Sequence, residues 1–153
     1  MPLRMTASVR EAFLAEARVG VVGIDEDGRA PRVIPAWYTY APEDGVSILV
    51  RRASRKRGLL ETAMRFSLCV QSDTVPYRHV SVQGPVVEVR DADFERDYVP
   101  LARRYLSTEQ AERFLEHAHE DPGLIFVMQP EKWITADYSD DSRLADESSA
   151  PTT

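Results

Sequence analysis

The sequence predicts a mainly β domain with flanking helices, a six-stranded antiparallel barrel closed on itself. Three observations predict it. Two hairpin signals, Asp27-Gly28 and Asp44-Gly45, separate runs rich in β-branched and aromatic residues. A Gly84-Pro85 pair interrupts a long alternating run, as at a barrel corner where a strand must bend. No strand–helix–strand rhythm repeats, and neither G-x-G-x-x-G nor G-x-x-x-x-G-K-[ST] occurs, which excludes a Rossmann-type sheet. Closing an antiparallel sheet removes its edges, so a barrel is the natural end point.

The elements follow in order. Ser8 to Arg18 reads as a helix, with Ser8 as N-cap, Glu11 completing a capping box, and Val9, Phe13, Leu14 and Ala17 on one face. Val19 to Asp25, Arg32 to Tyr40 and Val46 to Arg52 read as strands joined by the two turns. Ser54 opens a short basic helix to Met64 whose apolar face is Leu59, Leu60, Ala63 and Met64. Phe66 to Gln71 is a buried strand, with Cys69 expected as a core thiol. Arg78 to Val89 is a long strand broken by Gly84-Pro85. Asp91 to Leu106 and Thr108 to Glu120 are helices. Leu124 to Met128 is the last core strand, followed by Glu131 to Thr135.

Composition bounds the rest. A chain of 153 residues fits one domain, residues 1–138, with a tail from 139 to 153 so poor in apolar residues that it should be disordered. A net charge of −6 argues against nucleic acid as a partner. No run approaches the ~18 apolar residues that span a bilayer. The start, Met1-Pro2-Leu3-Arg4, carries no signal-peptide pattern, and a single cysteine fits a reducing compartment, so the expected location is cytoplasmic. No His/Cys/carboxylate spacing suits a metal, and His117 and His119, two apart on a helix, do not face each other.

The chemistry concentrates in Arg51-Arg52-Ala53-Ser54-Arg55-Lys56-Arg57, five cations in seven residues of an acidic chain. The run leaves a strand and opens a helix, where free N–H groups and the helix dipole favour an anion. A Ser hydroxyl with Arg and Lys side chains makes a phosphate site there; the alternative is a solvated basic helix end. Pro35-Ala36-Trp37-Tyr38-Thr39-Tyr40 offers aromatic surface and backbone amides suited to a flat ring, or else ordinary core aromatics. In Arg78-His79-Val80-Ser81-Val82-Gln83-Gly84-Pro85, His79, Ser81 and Gln83 share one strand face: a solvent-facing stripe or the lining of a ligand groove.

Taken together, Ser54-Arg55-Lys56 followed by Arg78-His79-Val80-Ser81-Val82-Gln83-Gly84-Pro85 resembles the S-R-K … R-Q-V-R-V-E-G-P pattern of the pyridoxamine 5'-phosphate oxidase-like family, and the Pro35-Ala36-Trp37-Tyr38 strand resembles that of its wider split-barrel relatives. The resemblance spans roughly residues 10 to 137 and implies a split β-barrel of the FMN-binding type. It implies a flavin-dependent oxidoreductase acting on a small organic substrate, with FMN as cofactor and the deazaflavin coenzyme F-420 as the alternative. A non-catalytic flavin carrier is a further alternative. By position, Arg55 and Lys56 would hold the cofactor phosphate, supported by Ser54 and Arg51. Ile34, Pro35, Ala36 and Trp37 would run beside the ring, and His79 would stand where the oxidases place a Gln. The resemblance also implies a homodimer with cofactor sites at its interface. The substrate-binding segments of the oxidases have no counterpart in residues 93–120 or 132–138.

Overall fold

The computed structural model describes residues 2–141 and 143; most of the tail expected to be disordered lies outside them. Helix α1 spans Ala7–Ala15. Its N-cap is Thr6, whose hydroxyl accepts the Val9 N–H at 3.3 Å, so Ser8 falls inside the first turn and the expected capping box does not form. Strands β1 (Gly20–Ile24) and β2 (Arg32–Ala36) form the first hairpin.

The expected second strand, 32–40, divides. β2 pairs with β1, whereas β3 (Thr39–Ala41) pairs with β4 (Gly45–Val50) in a second sheet. The chain crosses between sheets at Trp37 and Tyr38, and Tyr38 anchors the crossing. Its ring is fully buried and its hydroxyl donates to the Leu14 carbonyl at 3.1 Å. The turn into β4 forms where Gly45 takes φ +78°, a conformation open to glycine.

Helix α2 (Arg55–Ala63) carries Leu60 into the core and ends at Met64, which takes a left-handed φ of 50°. β5 (Arg65–Gln71) then pairs with β1 and with β6 (Arg78–Asp91). β6 runs through both sheets. Residues up to Pro85 pair with β5, and those beyond pair with β7 (Leu124–Met128) across a register shift between Val86 and Glu88. The predicted bend is this shift. At it, a Cβ on Gly84 would stand 1.9 Å from the Gln129 carbonyl oxygen, so only glycine lets the strands cross. β8 (Lys132–Asp137) pairs with the first half of β6.

The result is a mainly antiparallel sheet curled into a half-barrel, ordered β2-β1-β5-β6-β7-β4-β3, with β8 added on β6. The strands number eight rather than the expected six, because the 32–40 run divides and the C-terminal run gives a full strand, β8. Val22, Ile48, Val50, Leu68, Val80, Val82, Phe126 and Met128 fill its interior, closed by Phe13 and Leu14 of α1 and Leu60 of α2. Strand alternation turns Phe66, Leu68 and Val70 inward and Cys69 outward; the thiol is exposed, contrary to expectation. Between β6 and β7, a π-turn (Phe94–Tyr98), α3 (Val99–Tyr105) and α4 (Thr108–Ala118) form the helical layer. The first of these helices starts later than expected because β6 continues to Asp91 and Asp93 caps the π-turn by accepting the Arg96 N–H at 2.7 Å.

Candidate functional site

The basic segment lies where β4 ends and α2 begins. Ser54 is the N-cap: its Oγ accepts the Lys56 N–H at 3.1 Å, which leaves the hydroxyl proton free to donate. No acidic residue occupies the first turn of α2. The five cations divide into two sets. Arg52 is turned onto the protein, donating through Nε to the Pro122 carbonyl at 2.7 Å and pairing with Asp91. Arg57 pairs with Glu61 at 2.7 Å and donates to the Arg52 carbonyl at 3.3 Å. Arg51, Arg55 and Lys56 have no carboxylate partner among the described residues. Arg51 and Arg55 are exposed; Lys56 is half-buried, and burial pulls its ammonium below the usual lysine pKa. Three cations without carboxylate partners at the positive end of a helix are an arrangement that favours an anion.

Trp37 reaches the same end of the molecule. Its indole stacks on Tyr105 at 4.9 Å and 5°, and Phe114 tilts against it at 5.5 Å. Phe114 also lines, with Leu49, Arg51, Arg113 and His117, a cleft of about 600 Å³ between the end of β4 and α4. Tyr105 is fixed from both sides: its hydroxyl accepts the Tyr38 N–H at 3.2 Å and donates to the Arg18 carbonyl at 2.8 Å. One face of the indole is therefore already covered. Tyr105, Phe114 and Arg113 carry no signal in sequence spacing, and His117 reads as a solvated helix residue; tertiary packing alone brings them to this cleft.

The other residues read from the sequence lie on β2 and β6. Register places Ile34 and Ala36 toward the interior and Pro35 on the outward face. β2 is an edge strand, so backbone groups on its far side have no ladder partner, and Pro35 fits such an edge because it has no N–H to donate. His79 stands opposite Gln71 and Ala136, on the same outward face as Pro35. Its Nδ1 is buried and has no hydrogen-bond partner, a group that needs one. Thus Ser54, Arg55 and Lys56 stand together at the start of α2, while Arg51, just before it, lines the cleft whose Phe114 packs against Trp37. Pro35 and His79 share a sheet face, and Ile34 and Ala36 offer only backbone to it.

No family model matches the sequence, and no curated protein matches it. Solved structures do match, 84 chains in all. A conserved hypothetical protein from Mycobacterium tuberculosis is 16% identical over 90% of this chain and 88% of its own, with a TM-score of 0.72. An F-420 reductase is 16% identical over 81% of this chain and 94% of its own, TM-score 0.63. A Listeria innocua protein named provisionally as a pyridoxamine 5'-phosphate oxidase is 11% identical over 81% and 92%, TM-score 0.58. Others with this architecture are described as a heme storage protein from Vibrio cholerae and an FAD and heme binding protein from Mycobacterium smegmatis. At these identities the likeness shows the fold: a split β-barrel of the pyridoxamine 5'-phosphate oxidase-like kind.

Proposed function

We propose that this protein is a flavin-dependent oxidoreductase that binds FMN through the start of α2 and acts on a small organic substrate. The observation that carries the reading is Lys56, a half-buried ammonium with no carboxylate partner, placed beside Ser54, Arg55 and Arg51 at a helix N-terminus. The residues present fit the group. The α2 start would hold the phosphate, and the free edge of β2 from Ile34 to Trp37 would meet the polar rim of the ring through backbone groups; His79, three strands away on β6 with an orphaned Nδ1, would be a separate contact to the cofactor. Bound FMN supplies hydride or electron transfer; the chain supplies position and charge.

FMN is favoured over the deazaflavin by the fate of Arg52 and Arg57. The deazaflavin carries an additional acidic tail, and these two arginines, the other cations of the basic run, are bound to Asp91, Pro122 and Glu61. The fold likeness to an F-420 reductase keeps the deazaflavin as the second reading. The reading includes a homodimer. On the outward face of sheet β2-β1-β5-β6-β8, the cross-strand row Pro35, Val21, Cys69, Ser81, Ile134 carries no charge, and Val33, Val21 and Ile134 are 66%, 42% and 53% exposed. Exposed apolar side chains along an uncharged row support an interaction surface here. A reducing, cytoplasmic setting suits the exposed Cys69 thiol.

The test is equilibrium titration of cofactor-free protein with FMN and with the deazaflavin, followed by reduction of the bound cofactor with a nicotinamide. Micromolar FMN binding without deazaflavin binding is expected, together with a dimer in sedimentation velocity. Deazaflavin binding alone reverses the cofactor assignment. FMN binding with no turnover on any acceptor leaves a carrier, and binding of neither removes the reading.

A further inference from the structure

The helical layer leaves a second opening on the outer face of the β3-β4-β7-β6 sheet, a groove of about 480 Å³ on the side of the layer facing the β3–β4 turn. Its floor follows from the strand register. One cross-strand row is Thr39, Ser47, Val127, Glu88; the next is Leu49, Ile125, Arg90. Both lie on the face away from the barrel core, since Val46, Ile48 and Val50 alternate inward. Ile125 and Val127 are largely buried and present what surface they have to the groove, whose wall on the α3 side is Pro100 and Leu101. The floor is therefore apolar in the middle, hydroxylated at the Thr39 end and carboxylated at the Glu88 end. Three strand spacings of about 4.8 Å separate those ends.

Charge decides what would enter. Arg90 is not free: its two terminal nitrogens donate to the Asp97 carboxylate at 2.6 and 2.8 Å, and Asp97 also accepts the Asp93 N–H at 2.7 Å. That pair is mutually neutral. Arg90 also leans on Glu88, its Nε 3.6 Å from that carboxylate, yet one arginine cannot neutralise both acids: the lining holds Glu43, Asp44, Glu88 and Asp97 against Arg90 and Arg96. An anion would be repelled here, the opposite of the α2 start.

We propose that this groove binds a small organic cation with an apolar body, an alkyl or aryl ammonium whose carbon skeleton lies on Val127 and Ile125 and whose charge meets Glu88. The volume lies within the usual range for a small-molecule pocket. The site is separate from the proposed flavin phosphate site and does not depend on it.

The experiment uses the full chain and three probes that share a phenethyl body, phenethylamine, phenethyl alcohol and 3-phenylpropionate, titrated by calorimetry at low salt with amide shifts followed by NMR. Phenethylamine is expected to bind saturably, about tenfold or more tighter than the alcohol, as befits one charge-assisted hydrogen bond. The propionate is expected not to compete. Shifts should centre on Ser47, Val127 and Glu88. Glu88→Gln, at a side chain half exposed to solvent, should fold normally and lose tenfold or more in amine affinity while leaving FMN affinity unchanged. Closing the floor with Ser47→Arg should abolish amine binding. Equal affinity for amine and alcohol, competition by the propionate, no saturation at millimolar amine, or an unaltered Glu88→Gln variant would each overturn the proposal.

Discussion

Lys56→Met separates a binding role from a structural one, because the two predict opposite effects on the free protein. In the absence of ligand the Lys56 ammonium is half-buried without a counter-charge, and burial has lowered its pKa. Methionine keeps the aliphatic length and removes a charge that burial disfavours. The free variant should therefore melt at the same temperature as the parent or slightly above it. Binding tells the other half. A charge-assisted hydrogen bond to a phosphate contributes about 1.5–3 kcal/mol, so FMN affinity should fall about tenfold to a hundredfold. The control is Arg52→Met, which removes the same formal charge two residues before the cap. Arg52 already holds Pro122 and Asp91, so this variant should lose about 1 kcal/mol of stability and change FMN affinity by less than about threefold. Flavin fluorescence quenching and thermal melts at neutral pH read both quantities. If Lys56→Met melted lower, as Arg52→Met does, and bound FMN normally, Lys56 would be a packing residue and the assignment of the α2 start would fall.

Three further outcomes are expected. Burial pushes the Tyr38 hydroxyl up to about 12 from an ordinary 10.0, offset in part by Arg104. The unfolded chain ionises first, so the stability this group lends is intact below about pH 10 and is lost progressively toward pH 12. Alkaline unfolding of Tyr38→Phe should lack that phase. Burial raises the Asp97 carboxyl, but the hydrogen bonds from Arg90 and the Asp93 N–H outweigh it and hold it below the ordinary 3.8. Its contribution is therefore present above the unfolded value and lost as pH falls through the folded one. In acid titration Asp97→Asn should be less stable than the parent at neutral pH, and the gap should narrow below about pH 4. Gly84→Ala should fail to fold or lose about 3 kcal/mol or more, because the added carbon meets the Gln129 carbonyl, a backbone atom that cannot rotate away; a circular dichroism melt within about 1 kcal/mol of the parent would refute that.

The features legible in the sequence are those set by local chemistry. The hairpin glycines, the Gly84-Pro85 bend, the Ser54 cap and the alternation that puts His79, Ser81 and Gln83 on one face all depend on residues close in the chain. What the sequence hid depends on distant partners. The 32–40 run has strand character throughout; it divides only because Tyr38 finds Leu14 and Tyr105. Cys69 sits in an apolar run, but the pleat that buries Leu68 and Val70 turns it outward. α1 starts early because the chain before it is tied down, Met5 N–H donating to the Thr135 hydroxyl at 2.9 Å. The same division runs through the candidate site. The cation run is plain in the sequence, but only the fold shows that Arg52 and Arg57 are occupied and that Tyr105 covers one face of Trp37.

The electrostatics of the helices give an independent reason to regard the α2 start as built for a ligand. α4 follows the ordinary rule: Ser107 and Gln110 close a capping box, Glu109 sits in the first turn and His117 in the last, each where the helix dipole favours it. α2 reverses it. Its first turn holds Arg55, Lys56 and Arg57 with no acid, and cations at that end oppose the dipole by about 0.3–1 kcal/mol each at exposed positions. Arg57 offsets its share through Glu61; Arg55 and Lys56 offset theirs with nothing among the described residues. Helix formation alone would favour acids in these places, and Leu60 buries whatever the charge of its neighbours, so neither propensity nor core packing explains the pattern. A local rule broken in one helix and kept in another of the same domain points to a demand from outside the fold. An anion at the N–H groups of α2 is the one ligand class that turns the unfavourable arrangement into a favourable one.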